Sequence, residues 1–246
     1  MSQGNGFVDV LLTHEPHTTV VYRTALVTYE ESFVNGEFVS RGWNGAGWVN
    51  RESTRFGPTW HPTPQSFWLE IDGQLLCSHW NWVGLRKEET EKGLHSVVTL
   101  EHQLRPVTVE VHMLLDGTEI LTRWLEVTNT GDKPAALSAV MPWSGLLQVV
   151  RNWRDYNLGD TPLYSIGYME DTRHLGEGQF QWHPLPNARY SVDGHYRRPR
   201  HRHPMVILRN EATGEHFIAQ LAWSAGYTFE FDLDADCGTM DRSAYL

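Results

Sequence analysis

A period of two runs through most of this sequence, and it limits the possible folds more than any other feature. Val107, Val109, Val111, Met113 and Leu115 alternate with Thr108, Glu110 and His112, which gives a strand one apolar face and one wet face. Asp116-Gly117 follows, a pair that accepts the positive φ angles of a tight type I′ turn. Beyond it lies a second β-rich run, Thr118 to Asn129, so this is the best hairpin candidate in the chain. Asp72-Gly73 separates Ser66–Ile71 from Gln74–Trp80 in the same way, and Asn35-Gly36 separates Phe33-Val34 from Phe38-Val39. Phe217, Ala219, Leu221 and Trp223 alternate, as do Tyr227, Phe229, Phe231 and Leu233 after Gly226. Further strands are expected near 7–12, 19–29, 95–104, 135–141 and 205–210.

Helix signals are nearly absent. Arg86 to Lys92 is the only stretch of strong helix formers, but it has no apolar stripe and lies between Gly84 and Gly93. It reads as a charged surface loop or a single turn. Short strands joined by Gly, Pro and Asp turns point to an all-β, antiparallel sandwich with little or no helix. No repeat or linker divides the chain, so a single domain over 1–246 is expected. Residues 152–202 are the least regular, rich in Gly, Pro, Tyr and His, as a functional surface or packed cover would be.

Charge and cysteine content narrow the function classes. Twenty Lys and Arg against thirty Asp and Glu leave a net charge of −10, which argues against a nucleic-acid partner. No apolar run approaches the roughly 20 residues of a membrane-spanning helix, and a membrane partner is not expected. Cys77 and Cys237 are too few for a disulfide framework, so a cytoplasmic location is expected.

The 11 Trp, 9 Tyr and 9 Phe direct the search for a site. Trp43, Trp48, Trp60, Trp68, Trp80 and Trp82 crowd into forty residues with several glycines. An exposed indole beside polar side chains suits the flat C–H face of a sugar, whereas a buried one fills the space between sheets. Trp68, in a strand beside Leu69 and Ile71, reads as packing; Trp43, Trp48 and Trp60, in Gly- and Pro-rich loops, are the candidate carbohydrate contacts. His201 and His203 share one strand face and could hold a metal, but no third ligand stands at a recognisable spacing, so a structural or sugar-contacting role is preferred. Neither a metal nor another cofactor is expected. Arg197, Arg198, Arg200 and Arg202 form a cationic run that suits local ion pairs such as one with Asp193. Glu126, Asp155, Asp160, Glu170, Asp171 and Glu177 offer carboxylates, yet none pairs in a glycosidase frame. No catalytic residue can therefore be named from the residues alone.

A family resemblance enters through the second half. The run Ile120 to Pro134, with Asn129-Thr130-Gly131 at a strand end, resembles the N-terminal β-sandwich of alpha-galactosidases (melibiases). Arg200 to Leu208 resembles that domain's Ser-Ser-His-x-x-x-Pro strand. Phe217 to Leu221 and Trp223-Ser224-Ala225-Gly226 resemble the following strand and its Tyr-Ser-Gly-Asn corner. These elements keep their order over roughly 120–235. The resemblance implies a two-sheet supersandwich like that of galactose mutarotase. It also implies a (β/α)₈ barrel, absent from this chain, that carries the catalytic residues. The chain would be the N-terminal fragment of a longer glycoside hydrolase, packing on the barrel and shaping the carbohydrate pocket or a homo-oligomer. Gly57 to Pro64 lacks the Asp and Arg of the family's pocket segment, so the implication extends to carbohydrate rather than to galactose.

Two alternatives stand beside this accessory-domain reading. One is a stand-alone aldose-epimerase-like enzyme, with His102, His112 or His183 as general acid and an Asp or Glu as base. The other is a carbohydrate-binding or assembly module without catalysis.

Overall fold

The structure, a computed structural model, describes residues 6–44, 65–150, 156–170, 178–194, 203–223, 225–234 and 244–245. Among them there is no α-helix, and every strand pairing is antiparallel. Among the described residues no helix is long and apolar enough to cross a membrane. The fold divides into two compact units, Met1–Gln148 and Val149–Leu246.

In the first unit, β1 (Val8–Thr13), β2 (Thr18–Thr24), β3 (Val27–Val34) and β4 (Glu37–Asn44) form one sheet in chain order. The run expected over 19–29 is broken by a turn at Ala25-Leu26, where Ala25 takes φ 49° and its N–H donates to Phe7 O. Asn35-Gly36 joins β3 to β4 with φ of 51° and 81°. Asp72-Gly73, with φ of 52° and 73°, joins β5 (Trp68–Ile71) to β6 (Gln74–Leu76). Both are two-residue turns whose positive φ values match the strand twist, as the dipeptides require. Sheet β11-β5-β6 is completed by β11 (Leu137–Met141).

The third sheet of this unit has the order β10-β9-β8-β7, with β7 Trp80–Thr90, β8 Gly93–His102, β9 Val107–Leu115 and β10 Leu121–Asn129. The charged stretch from Arg86, read as a loop or single turn, is instead the second half of β7, paired in register with β8 as far as Thr90. Its side chains are exposed at the end of the sheet order. Backbone pairing outweighs their weak strand propensity there, and a charged strand at a sheet edge discourages association with other edges.

Val10, Val20, Tyr22, Tyr29 and Phe38 from the first sheet share one apolar core with Val98, Leu100, Val109, Val111, Met113 and Leu115 from the third. Phe67, Leu69, Ile71, Leu76 and Trp80 complete it. Burying each such aliphatic or Phe side chain is worth about 1.5–3 kcal/mol. Trp68 was expected in this core but is 39% exposed. Strand alternation explains the difference, since Leu69 and Ile71 cannot both point inward alongside their immediate neighbours. Trp80 is buried, and Trp82 packs partly buried against Phe33 and Phe38.

The second unit contains the sheet β14-β13-β16-β17, built from β13 (Tyr164–Met169), β14 (Phe180–Pro184), β16 (Met205–Asn210) and β17 (His216–Gln220). Two strand pairs accompany it: β15 (Arg189–Gly194) with β18 (Tyr227–Asp232), and β12 (Val149–Val150) with β19 (Ala244–Tyr245). Residues 152–202, expected to be irregular, thus hold β13, β14 and β15. Tyr164 to Tyr168 are all buried, so β13 shows no apolar–polar alternation for a sequence reading to find.

Candidate functional site

Most of the carbohydrate contacts expected from sequence fall outside the described residues: Trp48, Trp60 and His201, and with them the Arg197 to Arg202 run. Trp43 lies on β4, its backbone opposite Tyr29. His203 is exposed just before β16, and its carbonyl accepts the Met205 N–H. His102, one of the three histidines considered as a general acid, uses Nδ1 to accept the N–H groups of Leu104 and Arg105 at 3.3 and 3.1 Å. It closes the turn after β8, with its ring edge against Trp80.

Two polar groupings lie on opposite faces of the β9–β10 hairpin. On the inward face, Arg123 donates from Nη1 to Glu31 Oε1 at 2.6 Å, from Nη2 to Ser66 Oγ at 2.6 Å and from Nε to Pro142 O at 2.7 Å. The Ser66 hydroxyl in turn donates to Glu31, as does Tyr29 at 3.0 Å. The Arg123 and Glu31 side chains are 1% and 0% exposed. Burial, the largest single influence, would lower the Arg123 pKa, but the Glu31 charge and hydrogen bond together with Tyr29 and Tyr22 outweigh it, and the net direction is upward. Burial, then the Glu31 charge, pushes the Tyr22 and Tyr29 phenols upward. Arg123 and the two phenols are thus held protonated, and the Arg123–Glu31 pair is sealed from water. The arrangement braces β10 against β3 and suits no exchange with a substrate.

The outward face is built differently. Alternation along β9 places Glu110 and His112 on one side, and the hairpin register sets Glu126 opposite Glu110 and Trp124 opposite His112. His95, from β8, meets His112 edge to edge, Nε2 to Nδ1 at 3.0 Å. Both imidazoles lie nearly parallel to the Trp124 indole, with centroids 5.1 and 4.7 Å away. His112 Nε2 stands 3.4 Å from Glu126 Oε1 without hydrogen-bond alignment, although the His112 side chain is only 5% exposed. Glu126 is 58% exposed. Burial holds the His112 pKa below the ordinary imidazole value; Glu126 and Glu110 oppose that shift, while His95 and Arg86 reinforce it. A neutral, positioned imidazole beside two carboxylates can bind a cation, move a proton or contact a hydroxyl-rich ligand.

His183 makes a simpler pair in the second unit. Its Nε2 is 3.2 Å from Glu170 Oε1, and its ring stacks on Tyr168 at 4.9 Å. The sequence could not match His112 or His183 to a carboxylate, and it did not single out His95, Glu110 or Trp124. Alternation gives the wet face of β9, but the partners across β10 depend on the length of the turn.

No protein-family model matches this chain, and no curated protein matches it. Solved structures do. The galactosidase domain of an alpha-galactosidase–sucrose kinase aligns with a TM-score of 0.69 and 12% identity, covering 96% of this chain and 37% of that one. A GH36 alpha-galactosidase from Geobacillus stearothermophilus aligns with a TM-score of 0.67, 13% identity and the same two coverages. An alpha-galactosidase from Lactobacillus brevis gives 0.66 and 12%, covering 96% of this chain and 36% of its own. The sequence resemblance noted above is therefore matched by a likeness of backbone over nearly the whole chain. This chain has the fold of the N-terminal part of GH36 alpha-galactosidases, and it spans 37% of the length of the first such structure.

Proposed function

We propose that this chain serves as the accessory β-domain of an alpha-galactosidase-like glycoside hydrolase, packed on a (β/α)₈ catalytic barrel and helping to shape its carbohydrate pocket or an oligomer. One observation carries the reading: the likeness runs over 96% of this chain but 37% of the longer structure. The two-sheet supersandwich, a single domain over 1–246 and a cytoplasmic location belong to the same proposal. So do Trp43, Trp48, Trp60, His201 and His203 as carbohydrate contacts.

Assay of the 246-residue chain against aryl α-galactosides tests the accessory role. No turnover is expected, and hydrolysis by this chain alone overturns the reading. Titration with mono- and oligosaccharides, followed by Trp fluorescence, tests the contacts. Trp48→Ala and Trp60→Ala are expected to reduce the response, and responses equal to the parent's overturn their role.

The His112–Glu126 and His183–Glu170 pairs favour a second reading, an aldose-epimerase-like enzyme in which an imidazole and a carboxylate move protons during ring opening. Polarimetry of freshly dissolved sugars decides it. Acceleration that is lost in His112→Gln or His183→Gln supports this reading, and a rate equal to that of buffer removes it.

A further inference from the structure

We propose that Glu110, His112 and Glu126 form a binding site for a divalent transition-metal ion on the outward face of the β9–β10 hairpin. This inference does not depend on the accessory-domain reading. The three side chains bring a ring nitrogen and two carboxylate oxygens within 4.8 Å of one another. Two independent features ask for a cation there. Glu110 and Glu126 are direct cross-strand partners, and like charges directly opposite destabilise an antiparallel pair unless something neutralises them. His112 Nε2 is buried, has no hydrogen-bond partner and stands beside Glu126. A buried polar atom left unsatisfied in this way needs an explanation such as an ion.

The surroundings fit ligation. With Nδ1–H of His112 donating to His95 Nε2, the lone pair of His112 Nε2 faces the two carboxylates, and His95 becomes the group that fixes ring and tautomer. Trp124 covers the faces of both imidazoles, and its indole Nε1–H donates to Glu126 Oε1 at 3.5 Å. Ligands about 2.0–2.2 Å from zinc stand roughly 3.3–3.5 Å apart, so closure requires a shift of about 1 Å, within reach of the exposed Glu126 side chain. One imidazole and two carboxylates, with no thiolate, suit zinc, cobalt, nickel or manganese and leave positions open for water. Two carboxylates and a neutral imidazole carry the charge that a divalent ion cancels. Arg86, exposed on β7, is the nearby cation that opposes binding.

Calorimetric titration of the chelator-treated 246-residue chain with zinc chloride at neutral pH tests the proposal. One zinc per chain is expected, with affinity lowered at least about tenfold in Glu126→Gln and in Glu110→Gln, and about 10–100-fold in His95→Phe. Both Glu changes are on the solvent-facing side of the hairpin, so circular dichroism should match the parent. Cobalt(II) should quench part of the Trp emission, and Trp124→Phe should lose that part. Absence of zinc uptake overturns the proposal. Uptake unchanged in Glu110→Gln and Glu126→Gln, or quenching unchanged in Trp124→Phe, assigns the ion to other histidines and overturns it equally.

Discussion

The two faces of one hairpin solve the same problem in opposite ways. Arg123 and Glu126 lie three residues apart on β10, and each stands near an oppositely charged or titratable partner. Inward, Arg123 and Glu31 are joined through hydrogen bonds with Ser66, Tyr29 and Pro142, and all of the bonds to the carboxylate fall on Oε1 while the buried Oε2 has no partner. Outward, His112 is as buried as a core residue, yet its Nε2 lacks a hydrogen-bond partner beside a half-exposed carboxylate. An ion pair sealed from solvent on both sides defines one packing, whereas a buried imidazole beside an exposed carboxylate can be reached by a ligand. Each grouping leaves a buried atom without a hydrogen bond, so what separates them is whether the carboxylate reaches solvent: Glu31 does not and Glu126 does.

The largest test breaks the inward side. Arg123→Leu leaves Glu31 as an uncompensated buried charge and should lower stability by about 3–5 kcal/mol. The Glu31→Leu/Arg123→Leu double variant removes both charges and should lose less than the single change. Urea denaturation measures both, and a double variant less stable than Arg123→Leu would show that the pair does more than cancel charge. Met113→Ala, a fully buried neighbour on β9, should cost about 2–5 kcal/mol through lost burial and a cavity. A cost well below 1 kcal/mol would mean that the inward face is not close-packed.

On the outward side, the expected effect is smaller and depends on pH. Burial holds the His112 pKa below its unfolded value near 6.5, so the folded chain takes up that proton less readily than the unfolded chain. The stability that His112 contributes is therefore complete above about pH 6.5 and declines as the pH falls through the folded value. His102 shifts in the same direction, again first through burial. Urea midpoints measured from pH 8 down to pH 5 should decline less steeply in His112→Gln than in the parent. Identical slopes would remove the claim that His112 is held neutral.

The smallest effect is expected at Arg189–Asp232 in the second unit, 3.4 Å apart with side chains 67% and 66% exposed. Arg189→Ala should change stability by no more than about 1 kcal/mol, and added salt should shrink even that. A loss comparable to that of Arg123→Leu would erase the distinction between buried and exposed ion pairs.

Much of the architecture was legible because alternation and turn chemistry are local. The expected hairpins at Asn35-Gly36 and Asp72-Gly73 are present, since those dipeptides meet the φ requirements without outside help. The turn after β9 shows where local reasoning stops. A two-residue turn at Asp116-Gly117 would set Leu115 opposite Thr118 and His112 opposite Leu121. The observed connection runs from Asp116 to Ile120, which sets Leu115 opposite Leu121 and His112 opposite Trp124. Asp116 Oδ1 accepts the N–H and hydroxyl of Thr118, while Thr24, at the end of β2, donates to Thr118 O and accepts the Gly117 N–H. Part of that geometry is held by a residue more than ninety positions away in sequence. The altered register is what brings Glu126 opposite Glu110 and Trp124 against the two histidines.

By itself, the sequence determined an all-β chain of short antiparallel strands, the tight turns that join several of them, and which face of β9 would be apolar. These follow from side-chain period and from backbone preferences of two or three residues. Only the tertiary structure decided which carboxylates meet His112, that Trp68 faces outward, and that Glu31 pairs with Arg123 across 92 residues. The physical reason is the same in each case. Strand register and burial depend on bonds between distant segments, and those energies exist only once the sheets are assembled.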